Sequence, residues 1–213
     1  MRLRWILLAL AIAPVGHAEV AEPVVVPRPV RFEVAPQISV LSIAELTFPS
    51  AGVQTTRRYS GFPCIGLNFA KPLGGFGDFS FALQATAAFG SRGGAMTVVQ
   101  AGEPPSNQDS SVTWIPLTVS TRLQYRIPNI TFFRPSLTVG LGALTVIQRA
   151  ALATLSHTSV VPSLVISPQV TFMDSTTFHW LGGFSFGATF YRGLGGNTAL
   201  NATSLDLGLN ILL

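Results

Sequence analysis

His157 and Ser159 stand two residues apart, so an extended chain would carry a base and a hydroxyl on one face. Such a pair performs acyl transfer when a third group orients the imidazole. No Asp or Glu lies between Asp109 and Asp174, which leaves no nearby acid for that post. His179 stands alone, and no set of His, Cys, Asp and Glu shows metal-ligand spacing. Cys64 is the only cysteine, so the chain has no internal disulfide framework, and it reads as a small buried side chain. Gly74-Gly75-Phe76-Gly77 and Gly193-Leu194-Gly195-Gly196 lack the following helix that a phosphate cradle needs, and read as turns. The sequence therefore offers no catalytic set, no metal site and no cofactor site.

The elements that must position these residues repeat with a period of two. Eight segments alternate apolar and polar side chains: roughly 37–48, 58–71, 77–90, 111–126, 134–148, 158–172, 177–191 and 200–213. In the third, Phe79, Phe81, Leu83, Ala85, Ala87 and Phe89 oppose Asp78, Ser80, Gln84 and Thr86. In the fourth, Ile115, Leu117, Val119, Leu123 and Tyr125 oppose Thr118, Ser120, Arg122, Gln124 and Arg126. In the last, Leu205, Leu207, Leu209, Ile211 and Leu213 oppose Ser204, Asp206, Gly208 and Asn210. Val161 and Val165 blur the sixth segment, and Leu41 and Ile43 blur the first.

The composition suits lipid on one side of such strands. The chain is 48% hydrophobic and 10% charged, where globular proteins carry about 25% charged residues. Polar, Gly or Pro residues interrupt every long apolar run after the N-terminus. The N-terminus reads as a signal peptide over residues 1–18, with Arg2 and Arg4 ahead of the short apolar run Ile6–Ala13 and a cut after Ala18. Without Arg2 and Arg4, 11 Lys and Arg face 9 Asp and Glu, scattered along the chain. That pattern argues against nucleic acid as a partner. Pro23, Pro27, Pro29 and Pro36 mark residues 19–36 as an extended Pro-rich periplasmic lead-in.

The signal, the eight amphipathic strands and the terminal alternation resemble the small eight-stranded bacterial outer-membrane β-barrels of the OmpA, OmpX and OmpW types. The resemblance covers residues 37–213 as architecture. It implies an all-β fold, an antiparallel transmembrane barrel, contact with outer-membrane lipids and recognition by the barrel assembly machinery. Leu205, Leu207, Leu209, Ile211 and Leu213 match the assembly signal of that class, although the class usually ends in Phe. Some barrels of this kind are lipid A deacylases with a His-x-Ser element, which His157 and Ser159 match in spacing alone.

A periplasmic N-terminus places breaks 49–57, 91–110, 149–157 and 192–199 outside the cell, and turns 72–76, 127–133 and 173–176 inside. The break 91–110, with Gly93, Gly94, Pro104 and Pro105, reads as an irregular loop. Phe48, Tyr59, Phe89, Trp114, Phe178, Trp180, Phe190 and Tyr191 are expected to form interfacial girdles. The lumen is expected to be small and polar, holding Ser39, Ser80, Thr118, Ser120, Thr138, Ser163 and Ser204 with the charges Glu45, Asp78, Arg122, Arg126 and Asp206. Buried charge needs a partner, so Glu45 and Asp206 are expected to pair with Arg122 or a polar neighbour. The function implied is that of a non-enzymatic outer-membrane barrel with a structural or surface-interaction role and an unknown extracellular partner. The alternatives are a narrow channel for small or apolar solutes, a lipid A-modifying enzyme, and a soluble β-sandwich, which would have to cover its Phe-rich faces.

Overall fold

A strand that is apolar on one face and polar on the other needs a different environment on each side, and closing a sheet on itself supplies both while leaving no unpaired edge. The computed structural model describes residues 32–50, 53–99, 104, 106–130, 132–150, 156–172, 181–194 and 199–213. These residues form β1 (Glu33–Ser50), β2 (Val53–Phe76), β3 (Phe79–Val99), β4 (Ser106–Tyr125), β5 (Phe133–Ala150), β6 (His157–Phe172), β7 (Leu181–Gly193) and β8 (Ala199–Leu212). Each strand pairs antiparallel with the next, and β1 pairs with β8 to close the barrel.

The seam begins earlier than the sequence pattern suggests. Glu33 and Val34 pair with Leu212 and Ile211, and Phe32 exchanges two backbone hydrogen bonds with Leu213. Residues 33–36 of the expected lead-in are therefore barrel wall. Residues 1–31, with the expected signal peptide, lie outside the described residues, as does 173–180 with Asp174, Phe178, His179 and Trp180.

Both termini of the barrel lie at one end, which we call proximal. The proximal turn between β2 and β3 is tight: Phe76 pairs with Phe79, and Gly77 takes the left-handed conformation (φ 56°) that the reversal requires. The distal end differs from expectation. The β3–β4 ladder continues from Gly90↔Trp114 to Val98↔Ser106, so most of the expected irregular loop 91–110 is paired strand. Gly93 and Gly94 sit opposite Ser111 and Ser110 within the ladder, and the two prolines fall beyond its last pair. The described residues of segment 49–57 are likewise paired, with Pro49 opposite Gln54 and Ser50 opposite Val53.

The outside of the barrel is apolar on every strand. Ile38, Ile65, Phe81, Val119, Leu141, Ile166, Phe186 and Leu207, one from each strand, are all 39–66% exposed. A continuous belt of this kind has no counterpart on soluble monomers, whose apolar patches are small. It suits a bilayer, in which every backbone polar group of a closed barrel is already paired. At the proximal end Phe32, Phe76, Phe132 and Phe172 are exposed, and Phe79 stacks at 4.9 Å on Tyr125, so a rim of aromatic rings marks that end.

Candidate functional site: the barrel lumen

The interior divides into two layers. The distal half is filled with large apolar side chains. Leu41, Ile43 and Leu46 on β1, Phe62 on β2, Val112 and Trp114 on β4, Leu144 and Val146 on β5 and Val161 on β6 are all at most 1% exposed. Trp114 meets Tyr191 of β7 edge to face, with centroids 5.7 Å apart, so an aromatic contact bridges the lumen between strands that are not neighbours. Cys64 is buried in the same cluster, beside Gly90, where a Cβ would overlap its sulfur.

The proximal half is polar. Ser39, Gln84, Thr118, Ser120, Thr138, Ser167, Thr189, Ser204 and Asp206 are buried there. The Thr189 hydroxyl donates to Asp206 Oδ2 at 2.5 Å and the Ser204 hydroxyl donates to Oδ1 at 2.8 Å. Nearer the proximal mouth, Arg122 on β4 reaches across to Glu33 on β1. Its Nη1 donates to Oε1 at 2.7 Å and its Nη2 to Oε2 at 2.5 Å, a two-pronged pair. Both side chains are nearly buried, at 12% and 13% exposure. The cavity left in the polar layer has a volume of about 20 Å³, enough for about one water molecule.

The expected charged lumen is corrected in four places. Arg122 pairs with Glu33, a residue of the expected lead-in, and not with Glu45 or Asp206. Glu45 is exposed, because a bulge between Ile43 and Glu45 on the β8 side inserts a residue and reverses the facing beyond it. Asp78 is exposed in the β2–β3 turn, with its backbone oxygen accepting from the Arg126 amide at 2.8 Å. Arg126 is exposed just beyond the end of β4, and Ser80 is exposed beside the turn.

The expected girdle is corrected as well. Tyr59, Trp114 and Tyr191 are buried in the lumen, whereas Phe89 and Phe190 point outward. The side chain of Phe48 lies outside the described residues. Parity carried the missed signal. Val112 and Trp114 share a strand face with Thr118, Ser120 and Arg122, and Tyr191 shares one with Thr189. The same rule puts Val161 and Val165 beside Ser163 and Ser167, which resolves the ambiguity of that strand.

His157 opens β6 opposite Gln148, and Ser159 sits opposite Val146. Both are half-buried on the lumen-facing parity of β6. The strands that flank β6 are β5 and β7, and neither contains an Asp or Glu. The structure thus brings no carboxylate to this pair from the neighbouring strands. Among the described residues, no three His, Cys, Asp or Glu side chains are grouped so as to hold a metal ion.

Searches against protein-family models and against curated protein sequences return no match. The fold is similar to that of Ail, the attachment invasion locus protein of Yersinia pestis. The TM-score is 0.52 at 11% identity, covering 87% of this chain and 100% of that one. It is also similar to Neisserial surface protein A, with a TM-score of 0.51 at 12% identity, covering 84% of this chain and 96% of that one. At such identities the likeness is one of fold. With the apolar belt on all eight strands, it gives this chain the fold of a small membrane-spanning barrel, the fold of these outer-membrane proteins.

Proposed function

We propose that this outer-membrane barrel neither conducts nor catalyses, and that it works as a structural or surface-interaction protein through its distal end. The observation that carries the reading is the packed distal lumen, where Trp114, Phe62 and Leu144 are at most 1% exposed and Trp114 contacts Tyr191 across the interior. A side-chain-filled core leaves an eight-stranded barrel no path for solute.

The distal end has surface to offer. A strand needs about 9–11 residues to cross the hydrocarbon. β7 and β8 have 13 and 14 residues, whereas β2, β3 and β4 have 24, 21 and 20. β4 pairs with β5 only as far as Ser110↔Ala150, while its ladder with β3 runs on to Ser106. The ladder of β3 and β4 therefore rises past β5, and the β4 arm ends in the polar run Ser106-Asn107-Gln108-Asp109. In this reading the proximal end, with both termini, faces the periplasm, and the Leu205–Leu213 face of β8 serves the assembly machinery as well as lipid.

The experiment is an epitope tag between Gly102 and Glu103, beyond the last pair of the β3–β4 ladder. Exposed loop tips tolerate insertion. The tag is expected to leave the barrel folded, shown by an unchanged heat-modifiable gel shift, and to bind antibody on intact cells. Binding only after the outer membrane is opened would invert the topology and overturn the surface role.

A further inference from the structure

The proximal mouth of the lumen carries more cations than the barrel supplies carboxylates to meet. Down β4 from the buried Thr118 and Ser120, the inward positions are Arg122, Gln124 and, one residue past the strand, Arg126. On β5 the inward positions are Thr138, Ser136 and Arg134. The register sets Arg122 opposite Thr138 and Gln124 opposite Ser136. One inward step further, Arg126 comes beside Arg134, and the two guanidiniums lie near enough to repel each other. Like charges facing each other across strands are destabilising.

Arg134 sits opposite the buried Thr171 of β6, and its Nε is buried with no hydrogen-bond partner. A buried donor of this kind is rarely left unmet in a folded protein. The nearby acids do not meet it. Glu33 holds both prongs of Arg122. Asp78, whose backbone oxygen accepts from the Arg126 amide, is exposed in the β2–β3 turn. Among the described residues neither Arg126 nor Arg134 forms an ion pair. Asp174 lies outside the described residues.

We propose that the proximal mouth binds a phosphate group from solution between the guanidiniums of Arg126 and Arg134. The planar fork of arginine matches the oxygens of a phosphate or a carboxylate. Two uncompensated cations favour the phosphate, which as a monoester carries a charge of about −1.5 to −2 at neutral pH. Both arginines stand on the lumen parity, away from the apolar belt, so the anion comes from solution and not from a lipid headgroup. The bound anion turns the repulsion between β4 and β5 into a bridge. The site lies at the opposite end of the barrel from the proposed surface role and does not depend on it.

The full chain refolded in lipid-free detergent provides the test, with inorganic phosphate as the probe. Thermal unfolding is compared at neutral pH in sodium phosphate and in sodium chloride of equal ionic strength. The unfolding midpoint is expected to rise with phosphate concentration, as binding to the folded state alone requires. Arg126→Gln and Arg134→Gln are expected to remove that rise and to leave the midpoint in chloride unchanged or higher, because each relieves the repulsion. Arg126→Gln alone serves if Arg134→Gln does not fold. The general stabilisation that phosphate gives any folded protein persists in both variants, so it is separable from the site. An equal rise in the unmodified chain and the variants would overturn the proposal. An equal loss of stability in chloride for Arg134→Gln and Asp174→Asn would make Asp174 the partner of Arg134 and overturn it too. So would a rise with phosphatidylglycerol micelles and none with inorganic phosphate, which would set the arginines against lipid.

Discussion

Trp114→Ala is expected to destabilise the refolded barrel by about 3–5 kcal/mol, the range for removing a buried Trp or Phe side chain from a packed interior. Trp114 is 1% exposed and among the largest fully buried side chains of the barrel. Its edge-to-face contact with Tyr191 joins β4 to β7 across the lumen, so truncation loses a bridge as well as volume. The neighbours that would have to collapse, Phe62, Leu144 and Val146, are fixed to strands by backbone ladders. Relaxation is therefore small, and the cavity cost remains. Equilibrium unfolding in urea, with the gel shift of folded barrel as readout, checks the value. A loss below about 1 kcal/mol would mean that Trp114 lies against lipid, in an interfacial girdle.

The second large effect is expected at the proximal mouth. Arg122→Met should cost about 3–5 kcal/mol, because it leaves Glu33 as an uncompensated buried charge. The pair is bidentate and nearly buried on both sides. Replacing both partners, Arg122→Met with Glu33→Leu, should recover most of that loss, since removing both charges also removes their desolvation cost. The same unfolding assay measures the cycle. If the double variant is as unstable as Arg122→Met alone, the stabilisation is not an ion pair. Because Glu33 sits on β1 opposite Leu212 of β8, the single variant is also expected to loosen the closing seam.

The strands are legible in the sequence because alternation is strict where one side is lipid. Phe79 to Phe89 and Leu205 to Leu213 need only the period of two, and the closed eight-stranded order comes from the count and the hairpin connections. The lumen is harder to read for two physical reasons. Alternation separates two faces without saying that both can be apolar, so Trp114, Leu144 and Val146 are hidden among the outward residues of an apolar chain. Bulges then reverse the facing of the residues beyond them. Tyr59 and Phe62 both point inward although three positions apart, and Leu46 replaces Glu45 inside after the bulge beyond Ile43. Glu33 escapes a sequence reading because proline-rich sequence resembles a tail, whereas Pro36 holds a place in β1 beside Gln37.

The distal extension misleads in the opposite sense. Gly93, Gly94, Pro104 and Pro105 are turn-forming residues by composition, yet the glycines lie within the β3–β4 ladder. The missing information is the register, which carries the pairing on to residue 98 opposite residue 106.

Conductance of the refolded full chain in a planar bilayer tests the closed lumen most directly. The packed distal half and a proximal cavity of only about 20 Å³ predict no ion-conducting steps at moderate voltage. They also predict no increase in vesicle permeability to small sugars. Stable, reproducible channel openings from the intact barrel would contradict the plug formed by Trp114, Phe62 and Tyr191, and would return the chain to the class of narrow channels.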